Sequence, residues 1–309
     1  MSKRLIESTV EALLALLLVS LSGGLASIAI GYLRQGMGST PLWSVFHRGI
    51  YLPLMLSSLY LIRRGFGKWG LRDMGLNRGE GIKINLQYGV VAFSASALSY
   101  LPFLVALLPF YAGQLSPFVE TMGRMSVPTI ALLYVAYSPM ILIDSPIPEE
   151  VVFRGYYQGM LTERFNSGVG ILSSTLFFGL QHSLIHRDWH PGMVAATIPL
   201  GLILALTYQE TRSLIPVITA HFLINFLMAY PMIFYAAGHT SIALLACLAI
   251  ATASIAILAS HRRMARKIFI NETTPLKSLD VSSIILVIFF MALPLAFSFM
   301  AIMFRSRIV

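Results

Sequence analysis

Long apolar stretches recur along this sequence, and each is about as long as a helix that crosses a lipid bilayer. A helix needs about 20 apolar residues to cross the hydrocarbon core, and the uncharged run 12–33 meets that length. A chain in lipid must satisfy its backbone polar groups internally, so only helices or closed barrels can cross. These runs lack the strict alternation of barrel strands. The sequence therefore predicts an all-α polytopic transmembrane helical bundle.

Hydropathy predicts about eight membrane spans in the chain. The stretches are 12–33, 49–62, 86–111, 128–146, 168–186, 192–208, 213–236 and 240–260, with a further one at 282–304. The count is eight or nine because 49–62 is short. Only 11% of the residues are charged, against about 25% in soluble domains. Since no repeat or extramembrane domain is visible, we expect one transmembrane domain over residues 1–309.

The basic residues indicate how the chain is oriented in the membrane. A net charge of +9 would suggest nucleic acid as the partner of a soluble protein, but here lysines and arginines collect in alternate loops between the apolar stretches. This bias predicts a multi-pass protein of the cell membrane with a cytoplasmic N-terminus, in contact with lipid and not with nucleic acid. The start of the chain resembles a signal peptide, but its apolar run is longer than a usual signal core, so we expect a retained span.

Three charged residues lie at the edge of an apolar stretch, where ionisable groups are costly and usually serve a function. Glu149 and Glu150 follow Pro146 and Pro148, which favour a new helix from about residue 148 to 164. Arg154 lies four residues after Glu150 and therefore on the same helix face. This spacing predicts a supporting Glu150–Arg154 ion pair and leaves Glu149 free to act as a general base on water. Surface charges on an interfacial helix are the alternative.

Three further polar side chains lie inside apolar helices. His182 follows Phe178 by one helical turn, and Asn225 follows His221 by one turn. His221 and Asn225 together can donate two hydrogen bonds to an oxyanion. The structural alternatives are a backbone hydrogen bond for His182 and helix–helix hydrogen bonds for the other pair. The single cysteine, Cys247, allows neither a disulfide framework nor a cysteine metal site.

In this order, the polar pairs resemble the motifs of a known protease family. The sequence is similar to the CPBP intramembrane proteases (CAAX proteases and bacteriocin-processing enzymes, also called Abi proteins), which include the type II CAAX prenyl endopeptidases. The resemblance covers about residues 145–230, and its matching residues are Glu149, Glu150, Phe153, Arg154, Gly155, Phe178, His182, His221 and Asn225.

The resemblance implies a membrane-embedded endopeptidase with its catalytic site in a cavity among helices. Glu149, helped by His182, would activate water, and His221 with Asn225 would form the oxyanion hole. Glu150 and Arg154 would support the site. The substrate would be a peptide or protein, with a prenylated CAAX C-terminus as one candidate. We favour a mechanism without a cofactor, but Glu149, His182 and His221 could instead hold zinc.

The main rival is a membrane protein without peptidase activity. A transporter or a scaffold or immunity protein could use the same polar residues for ions or partner contacts, although a transporter more often shows paired broken helices in corresponding halves. The span order also places His182 late in its stretch and His221 early in the stretch two later. With one crossing between them, the two histidines should lie toward opposite faces of the membrane. A shared site therefore requires shifted boundaries, a re-entrant start near residues 212–216 or tilted helices that converge at mid-depth.

Overall fold

The computed structural model describes residues 3–37, 42–66, 74–75, 81–122, 126–185, 191–271, 276 and 279–292. Nearly all of these residues are helical and none of them is in a strand, which confirms the predicted all-α class. The single-domain organisation over residues 1–309 stays a prediction.

The structure describes twelve α-helices in chain order. They are α1 (Lys3–Met37), α2 (Leu42–Phe66), α3 (Ile82–Met122), α4 (Val127–Asp144), α5 (Pro146–Glu150), α6 (Gly159–Arg164), α7 (Ser167–Ile185), α8 (Pro191–Thr211), α9 (Leu214–Ala236), α10 (Thr240–Ser260), α11 (Arg262–Arg266) and α12 (Val281–Ala292). A π-helical segment, Val151–Gln158, joins α5 to α6. Residues 146–164 thus form one continuous helical segment, here called the motif helix.

Five segments of the described chain are long and apolar enough to cross a membrane. They are Lys3–Ser22, Ile82–Phe110, Val127–Arg164, Leu214–Ala236 and Thr240–Ser260. The predicted count of about eight spans is therefore not confirmed. The stretches 49–62, 168–186 and 192–208 correspond to α2, α7 and α8, which are helical but are not among the five. The last stretch, 282–304, is described only as far as the short apolar helix α12.

The helices pack in neighbouring pairs around a core of large apolar side chains. α3 packs along α9, α7 packs against α8, α1 packs against α2, and α10 contacts both α3 and α9. Phe178 and Leu104 are completely buried in this core, whereas Leu245 on α10 and Leu132 on α4 are mostly exposed. Large exposed apolar side chains suit contact with lipid. The protein is accordingly an integral membrane protein.

A tight reversal sets α8 and α9 side by side. Arg212 has a positive φ of 49°, which turns the chain directly after α8. Ser213 then caps α9, because its hydroxyl oxygen accepts a hydrogen bond from the N–H of Ile215 at 3.3 Å. His221 consequently lies seven residues into α9, about 10 Å along the helix axis.

Candidate active site

The break between α4 and the motif helix positions the first polar residues. α4 ends at Asp144, and Ser145 has φ −130° and ψ −60°. Pro146 follows and suits the start of the next helix, because proline fits a first helical turn better than a helix interior. The Glu149 N–H donates to the Ser145 carbonyl at 3.0 Å, closing that first turn. The motif helix thus begins two residues before the predicted start near residue 148.

Glu150 and Arg154 form the ion pair that their spacing predicts. The Arg154 guanidinium donates to Glu150 Oε1 at 3.0 Å and to the carbonyl of Gly201 in α8 at 3.1 Å. Both side chains are completely buried, and the guanidinium carbon lies 4.3 Å from the centre of the Phe178 ring. Because buried charges are costly unless they are paired and hydrogen bonded, this pair fixes the motif helix against α7 and α8.

The two histidines point toward the same carboxylate. His221 donates from Nδ1 to Glu150 Oε1 at 2.7 Å, so its Nε2 faces Glu149 Oε2 at 4.0 Å. His182 donates from Nδ1 to the Phe178 carbonyl at 2.7 Å, and its Nε2 lies 3.8 Å from the same Oε2. The span order had suggested that these histidines lie toward opposite faces, but the structure brings both to Glu149.

Glu149 Oε2 lies at the centre of this group and, like Glu150 Oε2 beside it, is unsatisfied. It is buried and makes no hydrogen bond to any described residue. Buried polar atoms of this kind are rare and call for an explanation such as a water molecule or a catalytic role. Its distances to the two imidazoles leave room for a water at about 2.8 Å from Oε2 and from either Nε2. Oε2 itself is buried, but the Glu149 and His182 side chains as a whole are 28% and 23% exposed, so the group lies at the edge of the buried core.

Asn225 contacts the site through Ser145, a residue that the motif analysis missed. The Asn225 side-chain N–H donates to Ser145 Oγ at 3.3 Å, and the Ser145 hydroxyl donates to Glu149 Oε1 at 2.6 Å. The Asn225 carboxamide has a second N–H, so this contact leaves one donor for another partner. The signal in the sequence was a hydroxyl residue one helical turn before Glu149 and directly before a proline.

The remaining motif residues pack the helices together. Phe153 makes edge-to-face contacts with Phe177 and Phe178. Gly155 allows close approach of the chain at Met74, because a Cβ at this position would lie 2.9 Å from the Met74 carbonyl oxygen. These residues therefore support the motif helix without contacting the Glu149 carboxylate.

The three residues that the sequence analysis named as possible zinc ligands are spaced more widely than a zinc shell requires. Tetrahedral ligands at 2.0–2.1 Å from zinc lie about 3.3 Å apart, whereas Glu149 Oε2 lies 3.8 and 4.0 Å from the two imidazole nitrogens. Within the described ranges, no group of three or more His, Cys, Asp and Glu residues is arranged to hold a metal ion. The choice between a mechanism without a cofactor and one with zinc stays a prediction.

A second polar group lies outside the motifs and was not predicted. Here it is called the Glu11 cluster, and it consists of Glu11, Arg63, Tyr156 and Arg164. Arg63 donates to Glu11 Oε1 at 2.9 Å, Tyr156 donates to the same oxygen at 3.2 Å, and Arg164 donates to Oε2. The cluster joins α1 and α2 to the far end of the motif helix. Glu11 lies directly before the first long apolar run, and that position was the available signal.

The fold and this site define a class: integral membrane helical proteins with a carboxylate and two imidazoles gathered around a small space. Residues 130–227 match the family model described as "Type II CAAX prenyl endopeptidase Rce1-like". This match, over about a third of the chain, confirms the predicted resemblance of this region to the CPBP group of CAAX proteases. Proteins of this family are proteases that act on peptides or proteins, so the match implies the same class of activity for this chain. Comparison with curated proteins and with solved structures finds no significant match.

Proposed function

We propose that the protein is an intramembrane endopeptidase in which Glu149 activates a water molecule. One observation carries the proposal: Glu149 Oε2 is buried without a hydrogen-bond partner among the described residues, and two imidazole nitrogens face it at 3.8 and 4.0 Å. A water there can donate one proton toward Oε2 and the other toward His182 Nε2, which is free to accept because Nδ1 donates to Phe178.

Hydrolysis then follows in two proton transfers. The water oxygen attacks the carbonyl carbon of the scissile peptide bond as Glu149 takes the water proton. The tetrahedral intermediate collapses when Glu149 gives this proton to the leaving nitrogen, so the C–N bond breaks and leaves a carboxylic acid and an amine. The acid then passes its remaining proton to the amine, which gives a carboxylate and an ammonium group. Glu149 is regenerated, and no cofactor is consumed.

The oxyanion of the intermediate needs hydrogen-bond donors, and His221 and Asn225 are the candidates. His221 Nδ1 is held by Glu150, so its Nε2 can donate to an oxyanion only when the imidazole is protonated. The Glu150 carboxylate compensates the charge of that imidazolium. Asn225 adds the N–H that is not used by Ser145. Losing one oxyanion donor typically lowers kcat by about 10²–10³-fold.

The substrate and the topology complete the proposal. The large exposed apolar side chains on the helices suit a substrate that lies in the lipid, so a prenylated CAAX C-terminus is the first substrate to test. The excess of lysine and arginine in alternate loops supports a multi-pass protein of the cell membrane with a cytoplasmic N-terminus.

The experiment compares wild-type protein with three alanine variants in detergent or lipid vesicles. The substrates are a farnesylated CAAX peptide and a library of membrane peptides. Glu149→Ala, His182→Ala and His221→Ala should each abolish cleavage, while membrane insertion and elution from a sizing column stay unchanged. Cleavage by Glu149→Ala at the wild-type rate would contradict the proposed mechanism.

A chelator tested in the same assay separates the two possible chemistries. We propose that the reaction needs no metal, so cleavage should persist after incubation with 1,10-phenanthroline or EDTA. Loss of activity with chelator, restored by added zinc, would instead assign Glu149, His182 and His221 as zinc ligands. Binding or transport without any cleavage would favour the scaffold or transporter alternative.

A further inference from the structure

We infer that Ser145 is a positioning residue that fixes the orientation of the Glu149 carboxylate and couples it to Asn225. The inference rests on the proposed function, because it concerns how the base of that reaction is held. Ser145 lies between α4 and the motif helix and is partly buried.

The use of the Ser145 hydroxyl is unusual for its position. Serine before a helix normally accepts a hydrogen bond from a backbone N–H of the first turn. Here the Ser145 side chain makes no such capping bond, although its backbone carbonyl accepts from the Glu149 N–H. The hydroxyl proton instead goes to Glu149 Oε1 at 2.6 Å, a short bond of the kind seen with an ionised acceptor.

The chain break explains why the hydroxyl reaches this carboxylate. Pro146 disfavours a helical conformation at the residue before it, and Ser145 accordingly has φ −130°. In this conformation its side chain reaches Glu149, four residues later, while Oγ also accepts from Asn225 on α9. The Ser145 hydroxyl thus connects the Glu149 carboxylate with the Asn225 carboxamide, which we propose as a donor in the oxyanion hole.

The consequence concerns the two oxygens of Glu149. With Oε1 fixed by Ser145, the carboxylate cannot rotate freely, and Oε2 stays directed at His182 and His221. Without the hydroxyl, the carboxylate can turn about its terminal torsion, and Asn225 loses an acceptor. Ser145 therefore acts on the rate of the chemical step through Glu149 and does not itself react with the substrate.

The test compares Ser145→Ala and Ser145→Thr with wild type, using the peptide that wild type cleaves fastest. Ser145→Ala should lower kcat by about 10- to 100-fold and change KM by less than about threefold. Ser145→Thr keeps the hydroxyl and should stay within about fivefold of wild type. Ser260→Ala is the matched control, since it makes the same change at an exposed hydroxyl at the end of α10 and should have no effect.

A second readout does not depend on cleavage. Dicyclohexylcarbodiimide is an apolar reagent that modifies carboxyl groups within membranes, and mass spectrometry can follow its reaction at Glu149. Releasing Oε1 should make Glu149 react several-fold faster in Ser145→Ala than in wild type, with Ser145→Thr close to wild type. Equal reaction rates in all three proteins would overturn the inference even if no peptide is cleaved.

The kinetic outcomes separate this inference from the proposed function. If Glu149→Gln is inactive and Ser145→Ala is as fast as wild type, Ser145 has no positioning role and the proposed function stands. If Ser145→Ala and Ser145→Thr are both as inactive as Glu149→Gln and wild type is labelled at Ser145 by a fluorophosphonate, Ser145 is a nucleophile and the inference fails. Activity in Glu149→Gln would refute the proposed mechanism itself.

Discussion

Two carboxylates in this protein, the buried Glu11 and the partly exposed Glu149, differ in how their oxygens are hydrogen bonded. Both oxygens of Glu11 accept hydrogen bonds, from Arg63 and Tyr156 on one side and from Arg164 on the other. Only one oxygen of Glu149 does so, from Ser145. Glu11 is completely buried, whereas the Glu149 side chain is 28% exposed.

This difference separates a structural carboxylate from a candidate catalytic one. A carboxylate with both oxygens bonded to cations and a hydroxyl has nothing left to offer a substrate, and it holds three helical segments together. A carboxylate with one free oxygen beside two imidazoles carries an unsatisfied polar atom, a cost that a catalytic role explains. The motif helix contributes to both sites: Glu149 lies at its start, and Tyr156 and Arg164, which bind Glu11, lie further along.

The largest expected effect is on the activity of Glu149→Gln. The amide keeps the size of the side chain but cannot take a proton from water, so kcat should fall by at least about 1,000-fold. The unfolding temperature should stay within a few degrees of wild type, because no ion pair is broken. A single thermal unfolding series with matched peptide assays measures both quantities, and a large loss of stability would place Glu149 with Glu11 as a structural residue.

Glu11→Gln should show the reverse pattern, a loss of stability with little change in activity. Removing this charge takes one carboxylate partner from Arg63 and Arg164, which keep their ion pairs with Glu163 and Glu7. We therefore expect a loss of about 2–3 kcal/mol of stability, below the roughly 3–5 kcal/mol for a fully broken buried pair. Activity per folded molecule should stay within about threefold of wild type. Glu7→Gln is the matched control one turn earlier, because Glu7 is 43% exposed and its ion pair with Arg164 spans 3.7 Å; it should cost less than about 1 kcal/mol.

Arg154→Lys should lower both stability and activity, because Arg154 forms a buried ion pair that also lies within the candidate active site. A lysine ammonium cannot reproduce the planar fork that reaches both Glu150 and Gly201. We expect a loss of about 2–3 kcal/mol of stability and about a tenfold fall in kcat, since Glu150 also holds His221. Unchanged kcat in this variant would show that the orientation of His221 does not depend on the ion pair.

The smallest expected effect concerns Asp280, an exposed carboxylate directly before α12. Hydrogen bonds from the Ser283 and Ser282 hydroxyls and from the Ser283 N–H hold the pKa of Asp280 below its ordinary value. A lowered folded pKa means that its contribution to stability is fully present above the unfolded pKa of about 3.9 and is lost as pH falls through the folded value. Asp280→Asn should remove this acid-side dependence, as thermal unfolding between pH 5 and pH 2 would show.

Much of the local architecture was predictable because it depends on spacing along one helix. The apolar runs predict helices, and the four-residue interval predicts that Glu150 and Arg154 pair, as they do at 3.0 Å. The start of the motif helix was predicted within two residues from its prolines. The number of spans was not confirmed, because hydropathy ranks α7 and α8 with the longer spans although they are not among the five segments apolar enough to cross.

The sequence by itself therefore determined the membrane location and the helical class, through its long apolar runs. It also determined the contacts within a helical turn, since backbone geometry fixes these wherever a helix forms. Only the tertiary structure decided which helices meet, and so paired Glu150 with His221, Ser145 with Asn225, and Glu11 with Arg164. Those pairings depend on how the helices tilt and pack around the motif helix, and no interval along the chain records that arrangement.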